Sequence, residues 1–539
     1  MKVHAAAAMS LLDSGVETIF GLMGDANMLM VADLMQDPRG RFVGAVLEGG
    51  AVSMADGYSR MSGRLGVASV THGPAVTNSL TALTEAVRAR SSVLLMSGAT
   101  PSKRDFSQRM DLSAVASAAG ADYWRVLSPE HVVDDVAMMV ARVVTSGLPA
   151  ILDIPFEFQE VSVDYVKSQY RSVSTSPGDP TEEALDKALG ILASAKRPIV
   201  LAGRGAALSN AREELIGLAD AIGAPLGTTL LGKDLFRGHP FNLDIIGTAA
   251  TDLSLEMFAK ADCVITFGAG LNRHTTVDGS LFKDKAVIQC DINPLRFGQH
   301  LPVDAVVVGD ARAVAQAMLD QLVAGEIPPS SFREQELKSK PASFVPIDGF
   351  TDCSTDVTLD MRTAMIRLDQ LLPADRVVVS DVGRFIGAAW RYLHVPDPTR
   401  FTHSANFAAL GLATATAIGA SLARPELLTI GVAGDGGAMM GLIEFSTAVR
   451  EKIPFVLVVL NDGCYGAEYS KFEAHGFDPS PSLIHWPEFA EVAKALGGDG
   501  VAVRNLDELD AAANLTKGLA RPLLIDVKAD PKVNVRADW

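Results

Sequence analysis

Apolar positions along the chain follow two alternating patterns. Short continuous Val/Ile/Leu runs close on glycine-bearing turns, and between them lie longer stretches with apolar residues three and four positions apart. Runs of the first kind are VETIFGL, GVASVTHG, SVLLMSG and AILDIP early in the chain, RPIVLAGRG, ADCVITFGAG and KAVIQCDI in the middle, and RVVVSDVG, LLTIGVAGDG, IPFVLVVLNDG and PLLIDVK near the end. Uninterrupted runs of this composition predict strands buried on both faces of a parallel sheet. GAVL, ahead of Glu48, reads as one more apolar strand, and stretches such as VTNSLTALTEAVRAR predict the crossover helices. The fold class that follows is α/β, with three doubly wound parallel-sheet domains in series. Such sheets bind ligands beyond the carboxyl ends of their strands, where this chain concentrates glycines and acids.

Two stretches interrupt the pattern, SVSTSPGDP (Ser172 to Pro180) and the proline-bearing segment from Gly325 to Gly349, and both read as linkers. They divide the chain into domains at residues 1–170, 181–325 and 350–539. A total of 539 residues is too long for a single core. The net charge of −17 excludes nucleic acid and anionic membranes as partners. Cys263, Cys290, Cys353 and Cys464 show no CxxC spacing, so neither a disulfide framework nor a zinc site is expected. The N-terminal MKVHAAAAMSLLDSGVE reads as a short amphipathic helix interrupted at Asp13 rather than a signal peptide. No apolar segment approaches the ~20 residues of a membrane span. A cytoplasmic location is the expectation.

The most informative segment runs from Gly434 to Glu468. A strand ends in Gly434-Asp435-Gly436, a helix follows, and a second strand ends in Asn461-Asp462-Gly463. Adjacent parallel strands bring Asp435 and the Asn461/Asp462 pair to one sheet edge. Mg²⁺ takes oxygen ligands and fills part of its shell with phosphate oxygens. The start of the intervening helix offers N–H groups to those phosphates. Gly434, Gly436 and Gly437 are expected to let the backbone approach the ligand.

GDG followed about 26 residues later by Asn-Asp resembles the metal–diphosphate motif of thiamine-diphosphate enzymes of the pyruvate decarboxylase and acetohydroxyacid synthase type. The resemblance covers nearly the whole chain, more weakly in its middle. It implies thiamine diphosphate and Mg²⁺ as cofactors, with Asp435, Asp462 and the backbone carbonyl of Cys464 as metal ligands and Asn461 as the lesser alternative to Asp462. Many relatives carry asparagine at that second position. VVSDVGRF and HSANFAALG match two further family segments. They place Gly383 on the diphosphate and make Leu410 the apolar residue that bends the cofactor, against the alternative of a core leucine. Arg384 is left open between a phosphate partner and a solvent-facing residue.

In the first domain, Glu48 stands before the small-residue helix of GAVLEGGAVSMADGYSRMSG, where poor solvation favours a protonated carboxyl. A capped helix start is the plainer reading. The ExxAxxMAxGYxRxxG pattern and GPAVTN, which carries Asn78 toward the cofactor, resemble the family's activating segment. There the glutamate contacts N1′ of the aminopyrimidine and promotes the tautomer that deprotonates the thiazolium. The family pairs first and third domains across subunits, which implies a homodimer or homotetramer with shared sites.

The residues facing the substrate decide the chemistry. Asp25, in GLMGDANML, and Glu468, in CYGAEY, fall where 2-oxo acid decarboxylases carry two catalytic acids. The adjacent histidines of those enzymes are missing from ATPSKRDFSQRMD, and His72 is the substitute imidazole, against a plain turn histidine. Gln108 resembles the FQE glutamine of acetohydroxyacid synthases, with solvent exposure as its alternative. Three readings follow, all acting on a 2-oxo acid or aldehyde or binding the cofactor. The first is a non-oxidative 2-oxo acid decarboxylase with carboligase capacity. The second is an acetolactate synthase-like transferase, and the third a non-catalytic cofactor-binding paralogue. FAD, which acetohydroxyacid synthases hold in the middle domain, stays open but disfavoured, because the expected segment reads LLGKDLFRGHPFN. Asn272, Arg273 and His274 are weaker candidates for substrate contact, as is His475 in a polar stretch after Glu468.

Overall fold

The computed structural model describes residues 1–99, 105–173, 178–337 and 349–535. Three six-stranded parallel sheets are built, as the uninterrupted apolar runs require. The first contains β1 (Thr18–Gly21), β2 (Arg41–Gly44), β3 (Gly66–Val70), β4 (Val93–Ala99), β5 (Asp122–Arg125) and β6 (Ala150–Pro155). The second contains β7 (Pro198–Ala202), β8 (Leu226–Thr228), β9 (Asn242–Ile245), β10 (Cys263–Phe267), β11 (Ala286–Asp291) and β12 (Ala305–Val308). The third contains β13 (Arg376–Ser380), β14 (Phe401–His403), β15 (Leu428–Gly434), β16 (Val456–Asn461), β17 (Asp499–Val503) and β18 (Leu523–Lys528). Strand orders are β2-β1-β3-β4-β6-β5, β12-β11-β10-β7-β8-β9 and β14-β13-β15-β16-β18-β17, so the first and third sheets share one topology.

The chain forms two compact units. One comprises residues 1–174, 353–386 and 402–534 and carries the first and third sheets; the other comprises 175–352, 387–401 and 535–539 and carries the second. In the first unit a continuous core joins Phe20, Val43, Val70 and Leu95 to Val377, Val379, Phe445 and Leu457. Each such fully buried side chain contributes about 1.5–3 kcal/mol. Two helices, Glu48–Ser62 and Ala413–Ala423, meet there at backbone distance. A Cβ on Gly57 would lie 2.0 Å from the Thr416 carbonyl oxygen, and one on Gly419 would lie 1.9 Å from that of Met54. Neither neighbour is a flexible side chain, so Gly57→Ala forces the helices apart. Its expected effect is a loss of about 1–3 kcal/mol in denaturant unfolding, the usual scale of overpacking, while an alanine at exposed Gly190, in the helix Glu182–Ser194, meets nothing within 4 Å and should cause no such loss.

The N-terminal helix runs Val3–Asp13 but is not amphipathic, since Val3, Ala6, Ala7, Ala8, Ser10, Leu11 and Leu12 are all buried. The segment from 325 to 349 is more than a linker. It contains the helix Phe332–Leu337, whose end residues are buried, because Phe332 and Leu337 cover an apolar cluster with Met257 and Phe258. Residues 338–348 of that segment, 174–177 of the first linker and 100–104 of the ATPSKRDFSQRMD loop lie outside the described residues. No helix among the described residues is long and apolar enough to cross a membrane.

Candidate active site

The third sheet brings its acids together at the ends of β15 and β16. Asp435 opens the helix Asp435–Gly441 and is 3% exposed. Its Oδ1 accepts from the Gly436 N–H at 2.7 Å, and its Oδ2 accepts from the Gly463 N–H, also at 2.7 Å, tying the two strand ends together. Asp462 is buried beside it, with Oδ1 accepting from the Cys464 N–H at 3.3 Å. Burial, and next the neighbouring Asp462 carboxylate, push the Asp435 carboxyl up to about 7. Two buried carboxylates facing one locus suit a divalent cation. No three His, Cys, Asp or Glu residues among the described ones form a complete metal cage. A pair of carboxylates is the usual protein contribution where phosphate and water complete a Mg²⁺ shell. The Asn461 side chain is engaged at both ends, its Nδ2 donating to Asp526 Oδ1 at 2.9 Å and its Oδ1 accepting from the Gly463 N–H at 3.3 Å.

The glycines of this segment serve the chain itself. A Cβ on Gly436 would meet the Tyr465 ring at 2.8 Å, and one on Gly437 would meet Asp381 Oδ2 at 2.5 Å. Tyr465 and Asp381 therefore require glycine at these two positions. Gly434 packs against Phe385. Gly383, which follows β13, has φ of +154°, a conformation only glycine adopts readily. Arg384 neither faces solvent nor stands free for phosphate, because its Nη2 is 2.5 Å from Asp462 Oδ2. Leu410 is 41% exposed, which removes the core-leucine alternative. Its neighbour Gly411 donates to Asp381 Oδ2 at 2.8 Å.

Asp381 went unnoticed in the sequence and organises this loop. It also accepts from the Val382 N–H and from Ser404 Oγ, each at 2.9 Å. Burial pushes its carboxyl up to about 6 from the ordinary 3.8, and the three hydrogen bonds oppose the rise. The folded chain therefore keeps a proton that the unfolded chain releases between pH 3.8 and 6. Stability from this group falls as pH rises through that window. Relative to the wild type, Asp381→Asn is expected to gain about 2 kcal/mol between pH 4 and pH 7.5, read as the change in the difference between their urea midpoints. An unchanged difference would remove the argument.

Glu48 is the first residue of its helix, is 9% exposed, and accepts from Asn78 Nδ2 at 3.1 Å. The strand before it is RFVG, three residues upstream of the expected GAVL, so a turn separates β2 from the helix. Buried Glu444 holds that turn by accepting from the Leu47 N–H at 2.9 Å and the Val46 N–H at 3.1 Å. Buried Glu85 similarly accepts from Asn406 Nδ2 at 2.7 Å and the Phe407 N–H at 2.6 Å, in the loop that leads to Leu410. Only their lone acidic character within apolar helices could have marked these two.

His72 follows β3 and is 3% exposed. Its Nε2 donates to Gln108 Oε1 at 2.7 Å, which leaves Nδ1 as a buried acceptor without a partner. Gln108 is thus not simply solvent-facing. Asp25, in the loop after β1, and Glu468, near the start of the helix Gly466–Ala474, are both exposed. Neither carboxylate has a hydrogen-bond or ion-pair partner among the described residues. His475 is exposed at the end of that helix, which replaces the first half of the expected polar loop. In the other unit Asn272 caps the short helix Arg273–Thr276. There Gly203 and Gly205 pack on Gly268, and the Gly205 N–H donates to the Gly268 carbonyl at 3.1 Å.

Two sheets of one topology, one with a buried acid at a helix start and the other with paired acids at two strand ends, define a cofactor-dependent α/β enzyme. Family profiles agree over three segments: the N-terminal TPP binding domain of thiamine pyrophosphate enzymes matches residues 1–115, the central domain 185–318, and the C-terminal TPP binding domain 381–527. The chain belongs to the thiamine pyrophosphate enzymes. It is 27% identical to a "Probable acetolactate synthase large subunit" of Methanocaldococcus jannaschii, over 98% of this chain and 92% of the relative. It is 28% identical to a sulfoacetaldehyde acetyltransferase of Alcaligenes xylosoxydans, over 93% and 87%. An acetolactate synthase of Mycobacterium leprae is 26% identical over 97% and 87%. These similarities lie nearer the transferase reading than the decarboxylase reading.

Proposed function

We propose that this chain is a Mg²⁺-dependent acyl transferase of the acetolactate synthase type, which joins an acyl unit from a 2-oxo acid to a second carbonyl compound. Bound thiamine diphosphate supplies a nucleophilic carbon that adds to a carbonyl and stabilises the charge left when the adjacent carbon–carbon bond breaks. Residues 1–170, 181–325 and 350–539 serve as aminopyrimidine-binding, central and diphosphate-binding domains. Asp435, Asp462 and the Cys464 carbonyl hold the metal, while Gly383, Gly434, Gly436 and Gly437 line the diphosphate side. Leu410 supports the bent cofactor. Glu48, positioned by Asn78 and Glu444, holds and moves a proton at the aminopyrimidine.

The observation that carries the transferase reading is the contact between Gln108 and His72. It fixes the imidazole with its Nδ1 lone pair open inside an apolar wall of Phe106 and Phe156. That lone pair can accept a hydrogen bond or a proton from a hydroxyl group of bound substrate or product. Leu47, Phe407, Leu410, Met440 and Ile443 are bulky, apolar and more than two-fifths exposed, which supports a second copy of the chain covering this face. A homodimer, or a homotetramer built from it, would complete the site. The decarboxylase reading retains support from Asp25 and Glu468, whose carboxylates no other side chain among the described residues engages.

Incubating the purified chain with thiamine diphosphate, Mg²⁺ and pyruvate, with and without an aldehyde or second 2-oxo acid, separates these readings by NMR of the products. Ligated product in excess over free aldehyde is the expected result. Free aldehyde alone would establish the decarboxylase, and cofactor binding without any reaction would indicate a non-catalytic paralogue.

A further inference from the structure

Asp462, at the proposed second metal position, brings a carboxyl group where many relatives carry a neutral amide, and the chain places a guanidinium against it. The Arg384 side chain is buried, and its Nη2 donates to Asp462 Oδ2 at 2.5 Å. The same nitrogen lies 3.6 Å from Cys464 Sγ. Nη1 donates to the Pro531 carbonyl at 2.9 Å and to Ser470 Oγ at 3.3 Å, so the guanidinium is fixed from both sides. Room for it exists because residue 466 is glycine: a Cβ there would lie 2.6 Å from Arg384 Nε. The Tyr469 ring closes the remaining side, 5.7 Å from the guanidinium carbon.

We propose that Arg384 and Asp462 form an internal charge pair that presets the cation site, with Arg384 as a positioning residue. The inference rests on the assignment of the metal to Asp435 and Asp462. Arg384 engages Oδ2 and leaves Oδ1, held by the Cys464 N–H, as the oxygen turned to the cation. It also offsets the Asp462 charge, so the site presents the net charge it would have with a neutral amide in that place. Guanidinium is a donor only. An asparagine at 462 must therefore either aim its NH₂ group at Arg384, donor against donor, or turn that group toward the cation. Asp462→Asn should fail for this reason although the side chains have one shape, and glutamine at 384 should repair it by accepting from the new amide.

The test is a double-mutant cycle on the full chain. Its readout is the Mg²⁺ concentration that half-saturates thiamine diphosphate binding, followed by tryptophan fluorescence, together with the melting temperature of the metal-free protein. D462N is expected to raise that concentration about tenfold. R384Q should lower the metal-free melting temperature by leaving Asp462 buried without a counter-charge, and saturating Mg²⁺ should restore it. The double variant R384Q/D462N should return to within about threefold of the wild type. Equal half-saturation for D462N and the double variant would overturn the pairing. Asp435→Ala serves as the separate control: Mg²⁺ dependence surviving in it would show that the metal assignment itself is wrong, whatever the cycle gives.

Discussion

Glutamine in place of Glu48 is expected to reduce turnover about 10²–10⁴-fold, the range of a lost proton-transfer group, with the fold preserved. The substitution is nearly isosteric, and its amide oxygen can still accept from Asn78, which lies 3.1 Å away in the wild type. The turn ahead of it depends on Glu444 and the Val46 and Leu47 N–H groups, none of which contacts the altered atoms. Only the capacity to hold a proton and hand it on is removed. Two measurements therefore have to diverge. Thiamine diphosphate affinity should change less than about tenfold, since a single hydrogen bond is weakened and not lost. Hydrogen–deuterium exchange at the thiazolium carbon of the bound cofactor, read by quenched NMR, should slow in parallel with turnover. Exchange at the wild-type rate would show that Glu48 is a helix-start carboxylate and nothing more.

Removing Asp435 should have the other large effect. Its two oxygens satisfy the Gly436 and Gly463 N–H groups and complete the acidic locus with Asp462. In Asp435→Ala the Gly436 N–H loses its carboxylate acceptor, the Gly463 N–H keeps only its longer contact to Asn461 Oδ1, and the cation loses a ligand, so metal-dependent cofactor binding should fall about 100-fold or more, above the range seen when groups supporting a ligand are changed. Asp435→Asn separates the two causes. It can keep one of the hydrogen bonds but brings no charge to the metal, so calorimetry with thiamine diphosphate at saturating Mg²⁺ should place it near alanine. Near-wild-type binding in Asp435→Asn would mean that hydrogen bonding at the strand ends, not metal ligation, is what Asp435 provides.

The internal strands were legible because a strand flanked on both sides needs apolar residues at every position. β3, β7, β10, β13 and β16 are buried along their length and β15 at all but its two ends, and they read as runs of small and apolar residues. The strands that escaped notice are short β8 and the edges β5, β9, β12, β14 and β17, while the edge strand β2 was placed three residues late. An edge strand buries one side only, and β12, with alternate residues exposed, shows the consequence. At the site, Asp435 and Asp462 could be placed because their strands end where the apolar runs stop, and Glu48 because its small-residue helix begins there, three residues beyond β2. Asp381, Glu85, Glu444 and Arg384 could not. Each acts on a loop distant in sequence, as Glu85 does on residues 406 and 407, and no periodicity encodes such a contact. Gly436 and Gly437 also have a packing role that spacing could not announce, since Tyr465 and Asp381 stand where their Cβ atoms would lie.

The central claim is that the ends of β15 and β16 hold a metal-bound diphosphate. Crystals grown with thiamine diphosphate and Mn²⁺ address it directly, because manganese scatters anomalously and accepts the same oxygen ligands as Mg²⁺. The account predicts one strong anomalous peak bounded by Asp435, Asp462 and the Cys464 carbonyl, in contact with the diphosphate. A peak elsewhere, or a diphosphate bound with Asp435 and Asp462 away from any metal, would contradict it.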